Sequence, residues 1–371
     1  MADLFQYKCK NCGGALEFNT AEQKLKCPFC DSVFEISDYA VNDEKLDTQE
    51  ADVPQDNSQA QAPDEFDWNT QQQEWNAGEE GISVFVCKSC GGEIVGDENT
   101  AATACPYCGN PVVMSGRLSG VLKPDFIIPF KLDKRAAKEK LKEYTSSKKL
   151  APNDFKRDNK LEEIKGIYVP FWLFDSDINA AVQYQGTRVR TWSDKKYDYT
   201  ETSYYDIFRS GNMSFLNIPV DGSSKMPDDL MESIEPFNFG EAVDFQTAYF
   251  AGYLADKYDV DMEASIPRAN ERIKRSADDV LRGTVNGYSS LTTKFNSVQL
   301  LKGVSKYALY PVWLLNTNYK GETYTFAMNG QTGKFVGNIP VDKGKLAGIF
   351  AGATVGLTAA IYVVGRLLRI L

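Results

Sequence analysis

Eight cysteines with one repeated spacing are the residues of this chain best suited to chemistry, and the chain contains no histidine. In each of two sets, a Cys-x2-Cys pair is followed after fourteen residues by a second such pair. The sets are Cys9, Cys12, Cys27 and Cys30, and Cys87, Cys90, Cys105 and Cys108. Four thiolates close a tetrahedral site with no position left for water or substrate, which is how proteins hold structural zinc. The spacing therefore predicts two structural Zn2+ ions per chain.

Two other uses of the cysteines stay open. Iron occupies the same sulfur geometry in some proteins, and paired cysteines also form disulfides in oxidising compartments. The opening residues MADLFQYKCKNC contain no apolar core of a signal peptide, so we expect a reducing compartment. Units this small bury too little apolar surface to fold alone, and metal binding is expected to supply most of their folding energy.

Other catalytic patterns are missing from the sequence. Without histidine, and with every cysteine assigned to metal, no Cys-His pair or histidine-based triad is possible. Asp256, Asp259 and Asp261 lack the glycine and final glutamate of a calcium loop and are expected on a solvated surface. The stretch NGQTGKF is too short for a phosphate-binding loop. We therefore expect no enzyme.

The negative charge of the chain, −10 overall, comes from one segment. Residues 38–80 hold thirteen acidic side chains against the single lysine Lys45. Few aliphatic residues accompany them, which predicts a disordered tether between the two cysteine sets. Inside it, Phe66, Trp68 and Trp75 suggest either a docking motif for a partner groove or, as we favour, packing of Trp75 beside the second cysteine set.

The last part of the chain predicts a membrane span. Residues 346–365 run for twenty positions without a charge, about 30 Å as a helix, which matches the hydrocarbon core of a bilayer. Basic residues flank both ends, so the positive-inside rule does not set the orientation. Three glycines at intervals of four would line one helix face and permit self-association. They are Gly348, Gly352 and Gly356.

The middle of the chain reads as a duplicated α+β module with antiparallel strands. In the first copy the strand FIIPFKL precedes a helix capped near Asp133, and a set of short strands follows. In the second copy a helix opens near Ser265 and Pro267. The segments PFWL and PVWL align Trp172 with Trp313.

Prolines 170 and 311, at the start of these two segments, are expected at strand starts or on edges. Either tryptophan beside them would line a ligand pocket or, as we favour, pack in the core.

Nucleic acid is an alternative partner, because zinc ribbons often bind it. The ribbons carry few basic residues and the adjoining tether would repel phosphates. The most basic stretch, Lys131–Lys149, holds eight basic and three acidic side chains. It suits anionic lipid headgroups equally well, and a solvated helix face is the simpler interpretation.

The order of these parts resembles a bacterial family of double-zinc-ribbon membrane proteins. The motifs that carry the resemblance are two CKxCGG and CPxC ribbons, an acidic tether ending in EWNAGEEG, the PFW and PVW repeats and an apolar tail. Members are labelled TFIIB-type zinc-ribbon-containing or primosomal-helicase-like proteins. The resemblance implies a non-enzymatic membrane protein associated with envelope-stress machinery, including phage-shock-protein-A-like and flotillin-type partners. Only the eight cysteines carry over as functional residues.

These inferences combine into one predicted organisation. The expected function is a scaffold that recruits protein partners, with the bulk of the chain in the cytosol and a single pass through the cell membrane. A membrane-tethered nucleic-acid binder and a small-ligand or lipid sensor remain the alternatives. The predicted domains are a first ribbon (1–37), an acidic linker (38–80), a second ribbon (81–118), two module copies (119–239 and 240–342) and a transmembrane helix (346–365).

Overall fold

The computed structural model is a mixed α+β fold. It describes residues 7–39, 68–70, 82–87, 89–97, 105–108, 113–117, 122–153, 164–320 and 322–367. The first strands are β1 (Glu17–Asn19), β2 (Lys24–Lys26), β3 (Val33–Phe34), β4 (Asn69–Thr70), β5 (Ile82–Val86), β6 (Glu93–Asp97), β7 (Val113–Arg117) and β8 (Phe126–Ile127). The later strands are β9 (Lys165–Ser193), β10 (Asp198–Asp221), β11 (Val243–Asp244), β12 (Leu254–Asp256), β13 (Ser290–Tyr319), β14 (Glu322–Asn329) and β15 (Phe335–Gly337). The α-helices are α1 (Lys134–Ser147), α2 (Asp228–Ile234), α3 (Met262–Gly283) and α4 (Lys343–Leu367).

Two sheets organise these strands. A small antiparallel sheet has the order β1-β2-β3. A twelve-stranded sheet has the main path β11-β8-β13-β9-β12-β6-β5-β7, with β10 on β9, β14 on β13, β15 on β14, and β4 on β13. Most strand pairs are antiparallel, which confirms the prediction of an α+β fold with antiparallel strands.

Three strands are far longer than the short set predicted from the sequence. β9, β10 and β13 contain 29, 24 and 30 residues, and at about 3.3 Å per residue β9 alone extends up to about 95 Å. β9 lies between β10 and β13, antiparallel to both. We call residues 175–215 together with 290–304 the arm. The prediction of short strands is wrong because alternation continues through this stretch without a strong breaker.

The two prolines lie inside β9 and β13, not at strand starts or outer edges as expected. Pro170 is opposite Leu309, and Pro311 is opposite Tyr168. Each proline marks a place where its strand changes neighbours, since β10 ends opposite Phe171 and β14 ends opposite Val312. A residue without a backbone N–H is tolerated there because the ladder is interrupted on that side.

We call the described residues between 122 and 342, apart from the arm, the body. The two aligned tryptophans make matching hydrogen bonds between its first half (122–239) and its second half (240–342). Trp172 Nε1 donates to the carbonyl of Val260 at 2.9 Å, and Trp313 Nε1 donates to the carbonyl of Leu132 at 3.0 Å. Both side chains are buried, so packing in the core, the interpretation we favoured, describes them.

The helices that follow those carbonyls are also capped alike. Asp133 accepts from the N–H of Ala136 before α1, and Asp261 accepts from the N–H of Ala264 before α3. The predicted cap of α1 is confirmed. The prediction that α3 begins near Ser265 is wrong, because Asp261 caps the helix and Pro267 lies inside it.

Part of the predicted linker is built into the sheet. Trp68 is buried, its ring meets Phe174 edge-on at 4.9 Å, and β4 pairs parallel with Val304 and Ser305 of β13. The prediction of disorder throughout residues 38–80 is therefore wrong at this point, because a tryptophan supplies apolar area that the acidic residues around it lack. Phe66 and Trp75 lie outside the described residues.

Helix α4 contains the predicted membrane span. By length and composition its residues Lys343–Tyr362 suffice to cross a bilayer, and none of that stretch is buried against the rest of the chain. The three glycines at intervals of four lie on this exposed helix, with open space around each.

Candidate metal centres

The first cysteine set converges on one point. The Sγ atoms of Cys9 and Cys30 are 3.4 Å apart, and those of Cys12 and Cys27 are 3.5 Å apart. All four lie within 4.8 Å of one another. A tetrahedron with Zn–S bonds of about 2.3 Å has sulfur-sulfur edges of about 3.8 Å, so four thiolates at these separations fit an ion of that size. We call residues 7–39 ribbon 1.

The second set repeats this arrangement. Cys87 and Cys108 are 3.5 Å apart at their sulfur atoms, and Cys90 and Cys105 are 3.7 Å apart. These four sulfur atoms also lie within 4.8 Å of one another. We call the described residues between 82 and 117 ribbon 2. The structure thus brings together all eight predicted ligands in two groups able to hold a metal ion.

A tight turn beneath each metal centre requires glycine. Gly13 has φ +74° and donates its N–H to the carbonyl of Cys9 at 2.8 Å. In ribbon 2, Gly91 has φ +71° and donates to the carbonyl of Cys87 at the same distance. A side chain at either position would strain the backbone, which explains the first glycine after the first Cys-x2-Cys pair of each ribbon. We call the two Cys-x2-Cys pairs of a ribbon its first and second knuckle.

The thiols of ribbon 1 do not ionise equally. The hydroxyl and amide of Ser32 lower the pKa of Cys30 to about 6. For Cys12 the amide of Gly14 opposes the shift, but the neighbouring thiols of Cys30 and Cys27 raise its pKa to about 12. Crowded sulfur atoms resist a fourth negative charge, and a divalent cation at their centre would remove that resistance.

Ribbon 2 shows the same split with more burial. Burial opposes ionisation of Cys87, but the amides of Cys90 and Ser89 outweigh it and lower the pKa to about 7. Burial raises the pKa of Cys105 well above its ordinary value. In both ribbons the chemistry of the donor set suits a soft or borderline cation such as Zn2+.

Ribbon 1 packs against the body of the protein. Phe18 meets Tyr249 edge-on at 5.3 Å, and its N–H donates to the carbonyl of Ala251 at 3.1 Å. The side-chain amide of Gln23 donates to the carbonyl of Phe130 at 2.9 Å. These contacts make ribbon 1 part of the main hydrophobic core.

Ribbon 2 joins the large sheet directly. Strand β6 pairs with β12, placing Val95 opposite Ala255 and Ile94 opposite Asp256. Asn316 donates from its side chain to the carbonyl of Pro106 at 2.6 Å. Among the described residues, each ribbon thus packs an apolar face against the body, and the tether predicted between the ribbons does not hold them away from it.

Both ribbons dock on one short segment. Ribbon 1 contacts the 3-10 turn Thr247–Phe250 and Ala251, while ribbon 2 pairs with β12 and its Glu93 binds Lys257 at 2.7 Å. This segment leads within a few residues to the cap of α3. The two ribbons thus contact the same stretch of backbone.

A buried polar cluster lies where ribbon 2 meets the body. The carboxylate of Asp256 accepts a hydrogen bond from the Ser223 hydroxyl, and burial raises the pKa of Asp256 to about 7. Burial, followed by the charge of Asp256, raises the pKa of Tyr107, whose hydroxyl is also buried. Burial, followed by the charge of Asp256, also raises the pKa of Asp221.

Of the three aspartates expected on a solvated surface, Asp259 and Asp261 are exposed as expected, whereas Asp256 is buried. Asp256 is only 3% exposed, Asp259 binds the backbone and hydroxyl of Ser224, and Asp261 caps α3. The role of Asp261 could be found from the sequence, because an aspartate just before a run of apolar residues at helical spacing is a typical N-cap. The burial of Asp256 had no local signal, because it depends on the distant ribbon 2.

Comparison with known proteins gives one relative of substantial overlap. Over 256 residues, covering 69% of this chain and 75% of the relative, the sequence is 38% identical to a Bacillus subtilis (strain 168) protein named "Uncharacterized protein YdjG". No family model matches the chain. No solved structure matches it either.

Proposed function

The chain belongs to the YdjG family, and we propose that it serves as a non-enzymatic scaffold anchored in a membrane, with the arm as its docking surface for protein partners. Two Zn2+ ions hold the ribbons against the body, and each four-sulfur set leaves no ligand position for a substrate. Helix α4 supplies the anchor. The single observation that carries the proposal is the aromatic surface at the end of the arm.

The tip of the β9-β10 hairpin presents an ordered aromatic stack. Trp192 lies parallel to Tyr199, with ring centres 5.4 Å apart, and Tyr197 meets Tyr199 edge-on at 6.3 Å. The guanidinium of Arg190 lies over Trp192 at 5.5 Å. Tyr197 is 64% exposed, so these rings pack on one another and still face solvent.

The turn itself holds the stack in place. The carboxylate of Asp194 accepts from the N–H groups of Lys196 and Tyr197 at 2.7 and 2.8 Å, and from the Tyr199 hydroxyl at 3.0 Å. These donors, led by the Lys196 amide, lower the pKa of Asp194. A surface fixed in this way loses little conformational entropy when it binds.

More aromatic residues line the arm behind the tip. Arg188 lies between the rings of Tyr205 and Tyr288, at 5.1 and 5.0 Å. Tyr204, Phe208 and Phe295 are all more than half exposed. Tryptophan, tyrosine and arginine dominate the binding energy of protein interfaces, which favours a protein partner for this surface.

The arm and the anchor lie at opposite ends of the long strands. The chain enters α4 soon after β15, which pairs with β14 beside Leu314 of β13, and Leu314 is opposite Lys165. From Lys165 to Ser193 at the tip is at most about 90 Å of strand. An anchored chain would therefore reach far from the point where α4 begins.

We infer that α4 crosses the cell membrane once with the bulk of the chain in the cytosol, and that the partners are envelope-stress proteins of the phage-shock-protein-A-like and flotillin types. Nucleic acid is less well supported, since Lys24 and Lys26 of ribbon 1 already pair with Glu35 and Asp31.

Fractionation with affinity capture tests this function. The full chain is expected in the membrane fraction, and after detergent extraction and cross-linking it should retain defined proteins. The triple variant Trp192→Ala, Tyr197→Ala, Tyr199→Ala should stay in the membrane and lose them. A matched control, Arg135→Ala with Glu139→Ala on the exposed face of α1, should keep them. A soluble chain, or a partner set unchanged by the arm variant, would refute the proposal.

A further inference from the structure

The two metal centres are built alike but covered differently. In ribbon 1, Cys9 and Cys27 are buried, whereas Cys12 and Cys30 are exposed to solvent. In ribbon 2, Cys87 and Cys105 are buried, and Cys90 and Cys108 are half-buried. The ligand spacing and the backbone hydrogen bonds of the first knuckle are the same in both, so the difference comes from the packing around the sites.

One aromatic position in the second knuckle differs between the ribbons in the same way. Phe29 and Tyr107 both follow the knuckle proline, and each ring lies against the second glycine of the first knuckle, Gly14 or Gly92. Phe29 is 76% exposed. The Tyr107 hydroxyl is buried near Asp256.

Hydrogen bonding fixes the same knuckle of ribbon 2 to the body. The carbonyl of Pro106 accepts from Asn316 of β13 at 2.6 Å. The body therefore covers the second knuckle of ribbon 2, whereas the second knuckle of ribbon 1 faces solvent.

We propose that ribbon 1 is an exchangeable zinc site through which the chain responds to zinc availability, whereas ribbon 2 keeps its ion. A competing ligand must approach the metal as a cysteine sulfur leaves it. In ribbon 1 the competing ligand reaches the metal from the side of Cys12 and Cys30, which are exposed to solvent. The zinc departs with the competitor, and the released thiolates take up protons. In ribbon 2 the same step requires the Tyr107 knuckle to separate from the body first.

Loss of zinc from ribbon 1 has a defined structural consequence. The small sheet that carries Phe18 and Leu25 depends on the metal for its folding. Phe18 contacts Tyr249 and Ala251, so an empty ribbon 1 exposes that part of the body. The proposal concerns only the metal centres and does not rest on the scaffold role.

The experiment uses the full chain in detergent with both sites loaded with zinc. Excess EDTA is added, samples are treated with N-ethylmaleimide at intervals, and peptide mass spectrometry follows alkylation of each cysteine. Zinc release is read in parallel. Cys12 and Cys30 should be labelled about tenfold faster than Cys90 and Cys108, because only ribbon 2 needs local opening first. One zinc per chain should leave in each phase.

Variants of Tyr107 and Phe29 test whether Tyr107 is what slows the labelling of ribbon 2. Tyr107→Ala should accelerate labelling of Cys90 and Cys108 toward the rate of ribbon 1, and Tyr107→Phe should retain most of the protection. Phe29→Ala should leave both rates nearly unchanged. Equal rates in the two ribbons, or faster labelling of ribbon 2 in the unmodified chain, would overturn the proposal.

Discussion

Asp256 is a carboxyl group buried between ribbon 2 and the body, and its environment makes stability depend on pH. Its pKa is about 7 in the folded chain and near the ordinary value of 3.8 when unfolded. The folded chain therefore binds more protons between these values, and this group lowers the free energy of unfolding as pH rises from about 4 to 7.

Asp256→Asn should remove that pH dependence. Because the amide cannot ionise, the variant should gain stability relative to the unmodified chain as pH rises, by up to about 4 kcal/mol across the window. Melting temperatures of both proteins in detergent from pH 4 to 8 should show the variant gaining on the unmodified chain up to about pH 7. The same gap at every pH would mean that Asp256 titrates normally.

Trp313 offers a second test at the level of single residues. Trp313→Phe keeps an aromatic ring but removes the donor to the carbonyl of Leu132. The loss of this part-buried hydrogen bond costs about 0.5–1.5 kcal/mol. Chemical denaturation should show this loss, whereas Trp192→Phe on the exposed arm should change stability by less than about 0.5 kcal/mol. Equal effects would contradict the assigned burial.

Single residues were predictable from the sequence where their role is local. The ligand cysteines and the Asp133 cap have short-range signals, namely spacing and a position before a periodic helix. Asp256 and Tyr107 have none, since their burial arises from contact between segments about 150 residues apart. The hydrophilic stretch around Asp256 looked like surface for that reason.

At the scale of elements, β4 depends on the close approach of Trp68 to Gly303. A methyl group at Gly303 would lie 2.6 Å from the Trp68 ring. Gly303→Ala should therefore cost about 1–3 kcal/mol through overpacking, and Trp68→Ala about 3–5 kcal/mol through lost burial.

A double-mutant cycle in thermal or chemical unfolding checks this coupling. Once Trp68→Ala has removed the ring, Gly303→Ala should be nearly neutral, because the clash has gone. Additive losses would show that Gly303 is needed for another reason.

The helices were more predictable than the strands. In α3 the residues Ala269, Ile273 and Ala277 recur at the spacing of one helix face and are buried, whereas Val280 is exposed. Strand length was not predictable, because alternation shows where a strand is possible and the partner strands decide how far it runs. The arm exists because β10 and β13 pair with β9 along most of its length.

At the scale of the whole molecule, the order of parts was predictable and their packing was not. The sequence indicates two ribbons, a duplicated body and an apolar helix from local patterns. Ribbon docking joins Phe18 to Tyr249 and Val95 to Ala255, and such contacts leave no mark in spacing or periodicity. The predicted domain boundaries stay predictions. In the structure ribbon 1 shares the hydrophobic core of the body, and ribbon 2 shares its large sheet.

The metal content of the purified full chain tests the central claim most directly. Inductively coupled plasma mass spectrometry should find two zinc ions per chain, one in a Cys9→Ser, Cys27→Ser variant and one in a Cys87→Ser, Cys105→Ser variant. Zinc absent from a freshly purified chain that is fully folded, or iron or disulfides accounting for the cysteines, would contradict the account.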